Sequence, residues 1–183
     1  PEEQQRSITI NLGFSHLNLP DGKSIGIVDV PGHHDFVNTM VAGAHGIDIL
    51  MLVIAADSGI MPQTIEHFQI ARTLGIKHGL VVLTKIDLVD EESISIIENE
   101  IKDFLKNSFL DNSDILRVSS ITGEGIEQIK DHLMNLIESI RIKSTSKIFR
   151  MYIDRIFSVS GFGTVVTGSV LGGNITKSNK LYL

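Results

Sequence analysis

Two apolar runs, Ile47 to Ala56 and Leu80 to Leu83, constrain the fold of this chain more than any other feature. Their near-continuity fits strands buried on both faces, as in parallel sheets covered by helices. Helical spacing fills the stretches around them. Ile65, Phe68, Ile70 and Ala71 recur at helical intervals within 63–74, and Ile94, Ile97, Ile101, Phe104 and Leu105 share one face within 91–106. A short strand at Ile115 to Val118 and a helix carrying Ile126, Ile129, Leu133, Leu136, Ile137 and Ile140 continue the alternation. Ahead of all this, Thr9 to Leu17, a turn at Pro20-Asp21-Gly22 and a strand from Ile25 to Asp29 read as a hairpin. Strand alternating with helix is the pattern of a mostly parallel α/β sheet.

The texture changes after Ile142. Residues 1–142 form the α/β domain, and the short polar stretch 143–147 reads as a linker. Residues 148–183 are rich in Val, Ile and Thr and punctuated by glycines, the composition of an antiparallel sheet or barrel. About three strands fit there, too few to close a barrel, so this is the start of a β-barrel domain. Pro1 opens the chain and Leu183 falls inside a strand pattern, so both ends read as cuts. The chain has no cysteine, which excludes disulfide frameworks, thiolate metal sites and cysteine nucleophiles and suits the cytoplasm. No apolar run reaches the ~18–20 residues of a membrane span and no basic-then-apolar leader opens the chain, so a membrane partner is not expected. A net charge of −6 argues against nucleic-acid binding through bulk positive charge, while leaving room for a local RNA contact.

Chemistry concentrates where strands end. Ligands in open parallel sheets sit outside the carboxyl ends of the strands. Asp29-Val30-Pro31-Gly32-His33 closes one strand. There Asp29 can hold a Mg²⁺ ion through water, and Gly32 lets a backbone N–H approach a terminal phosphate where a Cβ would crowd it. Pro31 stiffens the approach, and His33 can orient an attacking water. Alone, the same residues also describe a capped, strand-ending turn. Thr84-Lys85-Ile86-Asp87 closes another strand. The Asp87 carboxylate can accept the ring N–H and the exocyclic amine of guanine, which adenine would leave unpaired. The Lys85 stem can lie over the base plane. Ser119-Ser120-Ile121-Thr122-Gly123, after the next strand, can offer backbone N–H groups to the guanine carbonyl oxygen. Alone, these are a helix-capping turn and a loop.

Three other patterns carry nothing. Gly22-Lys23-Ser24 matches the tail of a phosphate loop, but Leu17 stands where the leading glycine belongs and the segment enters a strand, not a helix. His33-His34-Asp35 lacks supporting ligands at helical spacing. Gly161 to Gly168 lacks the third glycine of a dinucleotide fingerprint and lies among strands.

Arg6-Ser7-Ile8-Thr9-Ile10, DVPGHHDF at Asp29 to Phe36, MPQTIEH at Met61 to His67 and TKIDL at Thr84 to Leu88 resemble the translational GTPases in order and interval. Within that superfamily the chain is more similar to the selenocysteine-specific elongation factors than to elongation factor Tu. The N-L-G-F run after Thr9, TKID in place of NKxD, and the 149–173 segment carry that likeness. The resemblance implies a P-loop GTPase-type sheet without its first strand and phosphate loop. It implies GTP/GDP and Mg²⁺ as cofactors, with Thr9 and Asp29 at the metal, Gly32 at the γ-phosphate and His33 positioning the hydrolytic water. Asp29, Val30, Pro31, Gly32, His33, Thr84, Lys85, Ile86, Asp87, Ser119, Ser120 and Ile121 would line the nucleotide. Implied partners are aminoacyl-tRNA, here selenocysteinyl-tRNA, the ribosome, and an mRNA hairpin read by C-terminal regions beyond this sequence. Elongation factor Tu-like and initiation-factor γ-like proteins are the nearest alternatives, and a non-hydrolysing G-like scaffold is the alternative of a different class.

The chain departs from the family pattern at Ser7, where Gly is usual, at Ser120, where Ala is common, and at Thr84, which lacks the amide of an Asn. Without a phosphate loop, the 183 residues alone are expected to bind GTP weakly and not to hydrolyse it. A sheet without its central strand would also expose pairing edges.

Overall fold

The computed structural model describes residues 13–19, 22, 24–30, 47–140, 148–177 and 179–181. These fall into two compact units, Pro1–Ile140 and Arg141–Leu183. The first is built from a hairpin, β1 (Gly13–Asn18) and β2 (Ser24–Asp29), followed by β3 (Ile49–Ala55), α1 (Pro62–Thr73), β4 (His78–Thr84), α2 (Glu91–Leu105), β5 (Ile115–Arg117) and α3 (Ile126–Ser139). Strands β3, β4 and β5 form a parallel sheet in that order, with Ala55 opposite Thr84 and Leu83 opposite Arg117. β1 and β2 form a separate antiparallel pair in which Gly13 lies opposite Asp29. The fold is thus mixed α/β, with a parallel sheet flanked by helices and further antiparallel strands.

Strand β4 explains why the unit holds together. Its side chains alternate between two apolar clusters, as the period of a strand requires. Val81 and Leu83 join Leu52 and Ile54 of β3, Phe68 of α1 and Ile94, Ile101 and Leu105 of α2. Leu80 and Val82 join Val118 and Leu133 of α3, with Leu17 and Ile25 of the hairpin packed against them. All four central β4 side chains are at most 2% exposed. Phe68 also meets Phe104 and Phe109 at ring-centroid distances of 5.3 and 5.5 Å, tying α1 to α2. Strand β3 differs. Its apolar run suggests cover on both faces, yet Met51 and Val53 are exposed. β3 is the outer strand of the three; its Leu52 and Ile54 face joins one buried cluster, while on the other face Ile49 packs against the second.

Local signals set the helix starts. Asp90 caps α2 by accepting the Ser93 N–H at 2.8 Å, and Glu91 and Glu92 place negative charge in the first turn, where the helix dipole favours it. Pro62 opens α1, where its missing N–H costs nothing, and Thr64 Oγ1 accepts the Met61 N–H at 3.3 Å.

The second unit is a hairpin of two ten-residue strands, β6 (Arg150–Val159) and β7 (Gly163–Gly172), with register shifts between Arg150 and Met151 and between Ile153 and Arg155. Two of the expected strands stand among the described residues, and the strand pattern that runs to Leu183 lies partly outside them. The linker 143–147 lies outside the described residues.

Candidate functional site

The carboxyl ends of β3, β4 and β5 lie side by side, so the loops beginning at Ala56, Lys85 and Val118 emerge at one edge of the sheet. Hydrogen bonds lace these ends together. The Ala56 N–H donates to the Thr84 carbonyl at 2.8 Å, the Thr84 hydroxyl to the Ile54 carbonyl at 3.3 Å, and the Val118 N–H to the Leu83 carbonyl at 2.9 Å. Thr84 lacks the amide of an Asn, but its hydroxyl braces the loop against β3. The Ile86 N–H donates to the Val118 carbonyl at 3.4 Å, joining the 84–87 and 118–122 loops directly.

Within the first loop, Lys85 adopts a left-handed backbone (φ 58°, ψ 34°), and residues Ile86–Leu88 form one 3₁₀ turn. Ile86 is buried and anchors the turn, while Asp87 stands exposed beside it. Within the second loop, Ser119 is fully buried. Its hydroxyl accepts the N–H groups of Ile121 and Thr122 at 3.2 and 3.1 Å, and its own N–H donates to the Glu124 carbonyl at 3.0 Å. Ser119 therefore shapes the loop. Of the Ser119, Ser120 and Ile121 N–H groups, only that of Ser120 has no partner among the described residues. An exposed carboxylate and an unpartnered N–H on adjoining loops match the donor and acceptor edge of guanine.

On the hairpin side, Asp29 ends β2 exposed and Val30 follows it. Thr9, Pro31, Gly32 and His33 lie outside the described residues, as does most of the DVPGHHDF motif. No cluster of three potential metal-ligating side chains occurs among the described residues, and no described helix is long and apolar enough to cross a membrane. His67, in the MPQTIEH segment on α1, is half-buried, and burial pushes its imidazole below the usual range. Its Nε2 has no partner among the described residues.

Two contacts at this edge involve residues that motif reading passes over. Asp57, two residues past β3, pairs with the Lys85 ammonium at 2.8 Å and accepts the Ser58 hydroxyl at 2.9 Å. The Lys85 hydrogen bond, then that of Ser58, holds the Asp57 carboxyl below the usual carboxylate range. Arg117, the last residue of β5, grips α2: its Nε and Nη2 meet the two Glu98 oxygens at 2.6 and 3.0 Å, and its Nη1 meets Glu91 at 2.9 Å. Asp57, like Asp29 and Asp87, is an acid at or just past the end of a strand, a position legible in the sequence.

Residues 1–139 match the elongation factor Tu GTP binding domain. The chain belongs to that family. It is 48% identical over 172 residues to a selenocysteine-specific elongation factor of Desulfomicrobium baculatum, covering 94% of this chain and 27% of the relative. To that of Escherichia coli (strain K12) it is 39% identical over 183 residues, covering all of this chain and 30% of the relative. Among solved structures it is similar to a bacterial selenocysteine-specific elongation factor EF-Sec, with a TM-score of 0.88 at 44% identity, covering 94% of this chain and 30% of that one. It is also similar to translation elongation factor SelB from Methanococcus maripaludis in complex with the GTP analogue GppNHp, with a TM-score of 0.82 at 34% identity, covering 90% of this chain and 36% of that one. The chain thus spans about a third of the length of the relatives it matches.

Proposed function

We propose that this chain supplies the guanine-reading part of a GTPase that delivers selenocysteinyl-tRNA to the ribosome in the cytoplasm. The observation that carries the nucleotide reading is the junction of the 84–87 and 118–122 loops at one sheet edge, with Asp87 exposed and the Ser120 N–H unpartnered among the described residues. Asp87 accepts from the ring N–H and exocyclic amine of the base, Ser120 donates to its carbonyl oxygen, and the Lys85 stem lies over the ring. Ser119, Thr84 and Ile86 hold these groups in place. The metal side of the reading assigns Asp29 and Thr9 to Mg²⁺, which neutralises phosphate charge, with Val30 and Pro31 leading to the γ-phosphate contact at Gly32. His33 positions the attacking water. Selenocysteinyl-tRNA as cargo rests on the sequence likeness to the selenocysteine-specific factors.

The test uses the whole protein, at the length of its relatives. A fluorescent GTP analogue is titrated against GDP, XDP and ATP, with Asp87→Asn as the variant. The amide replaces one acceptor with a donor, so guanine affinity should fall by about two orders of magnitude while xanthine gains. Equal guanine binding by wild type and variant, or none by either, would sink the base-reading assignment.

A further inference from the structure

We propose that Asp57 is a positioning residue for base reading: it holds Lys85 on the β3 side of the site and so keeps the Asp87 carboxylate open for the base. This rests on the proposed guanine site. Lys85 and Asp87 are two residues apart on one short turn, and Lys85 carries a flexible four-carbon stem ending in a cation. An ammonium on such a stem can compete for the acceptor that guanine needs. In the structure it pairs instead with Asp57, at 2.8 Å.

Both residues leave the sheet from braced backbone. Asp57 follows β3 at the point where Ala56 N–H, Thr84 carbonyl, Thr84 hydroxyl and Ile54 carbonyl lock the strand ends together. Its other oxygen is held by Ser58. Lys85 leaves β4 with a left-handed backbone that sets the direction of its stem. β4 lies between β3 and β5, so pairing with Asp57 draws the ammonium away from the β5 loop that carries Ser120. The same pairing orders the stem before a base arrives, which removes part of the rotamer entropy that binding would otherwise cost.

The experiment compares wild type, Asp57→Asn, Asp57→Glu and Asp87→Asn in the whole protein. It measures GDP and IDP dissociation constants at about 0.1 M and 1 M salt, with thermal midpoints alongside. IDP lacks the exocyclic amine, so the GDP/IDP ratio reports how open the Asp87 carboxylate is. Asp57→Asn is expected to weaken GDP about fivefold to tenfold and IDP less, with an unchanged midpoint. Asp57→Glu, keeping the charge, should recover most of the loss. At about 1 M salt, where the screening length falls to ~3 Å, the gap between wild type and Asp57→Asn should narrow. Equal GDP affinity for wild type and Asp57→Asn, with Asp87→Asn still shifted away from guanine, overturns this inference and leaves the base site standing. A GDP/IDP ratio unchanged by Asp57→Asn together with a lowered midpoint also overturns it, since Asp57 would then only stabilise the loop. Failure of wild type to prefer guanine, or of Asp87→Asn to change that preference, overturns both readings.

Discussion

Strand β4 and hairpin β6–β7 both carry Val and other apolar residues on extended backbone, in opposite circumstances. In β4, neighbouring side chains point to opposite faces and both faces are covered, Val81 and Leu83 by helices α1 and α2, Leu80 and Val82 by α3 and the first hairpin. In β6, Ile156 and Phe157 also point to opposite faces, yet Ile156 is 68% exposed and Phe157 is exposed as well. Phe162, at the hairpin tip, is 84% exposed. Apolar strand residues therefore yield a core in one unit and two open apolar faces in the other. What differs most is the number of covering layers among the described residues. A parallel strand between helices meets its needs within one unit, whereas an isolated two-stranded hairpin is marginal in water.

The largest test of this contrast removes matched apolar bulk from each region of the 183-residue chain. Leu83→Ala should lose about 2–5 kcal/mol, the usual range for emptying a packed core site. Ile156→Ala should stay within about 0.5 kcal/mol, as expected at a surface position. Urea unfolding followed by the helical circular dichroism of the first unit reads the former, and hydrogen exchange of the β6–β7 amides reads the latter. A comparable loss for Ile156→Ala would mean that the hairpin is covered in solution, and the contrast would break.

A second pair compares a crowded with an open left-handed glycine; crowding itself does not follow the division between the units, since a Cβ at Gly168 of β7 would run into the Tyr152 carbonyl oxygen. Gly125 has φ +78°, and a Cβ there would lie 1.9 Å from the Arg117 carbonyl oxygen. Gly161, in the β6–β7 turn, has φ +84° with nothing within 4 Å. Gly161→Ala should therefore cost only the left-handed strain, about 1 kcal/mol. Gly125→Ala adds overpacking against backbone, about 2–4 kcal/mol in total. It should also weaken guanine binding by the whole protein, because the displaced backbone leads into Ser119. Equal costs at the two glycines would show that the 117–125 segment yields more easily than its packing suggests.

Much of the first unit was legible because its signals are local. The helical face of Ile94, Ile97, Ile101, Phe104 and Leu105 was readable from spacing, and α2 forms there. The loops at Thr84 and Ser119 were readable because each follows an apolar strand. The pairing of Lys85 with Asp57 was not, since it spans 28 residues and depends on the parallel register that puts Ala55 opposite Thr84. Nor could spacing tell which serine of SSITG turns inward, because that depends on which N–H groups need an acceptor. The exposure of Met51 and Val53 is not legible in the apolar run of β3, because such a run does not report what covers each face. Gly168 looked like punctuation between strands, yet it lies within β7 opposite Ile153, next to a register shift.

The smallest effect asks whether the first unit's advantage is entirely apolar. Arg117 holds both Glu98 oxygens and one Glu91 oxygen, tying the end of β5 to α2. The Arg117 hydrogen bond keeps the Glu98 carboxyl below its ordinary value of 4.5. A carboxylate with a depressed folded value adds stability above its unfolded value and loses it as pH falls through the folded one. The clamp should thus be fully present at neutral pH and fade below about pH 4.5. Arg117→Met keeps the aliphatic stem and removes the charge. It should cost about 1 kcal/mol at pH 7, since the guanidinium is partly exposed and solvent screens the pair. The urea midpoints of wild type and variant should converge as the pH drops below that window. A gap that persists in acid would assign the Arg117 contribution to packing of its stem against α2 instead of to charge, and the first unit's stability would then be apolar throughout.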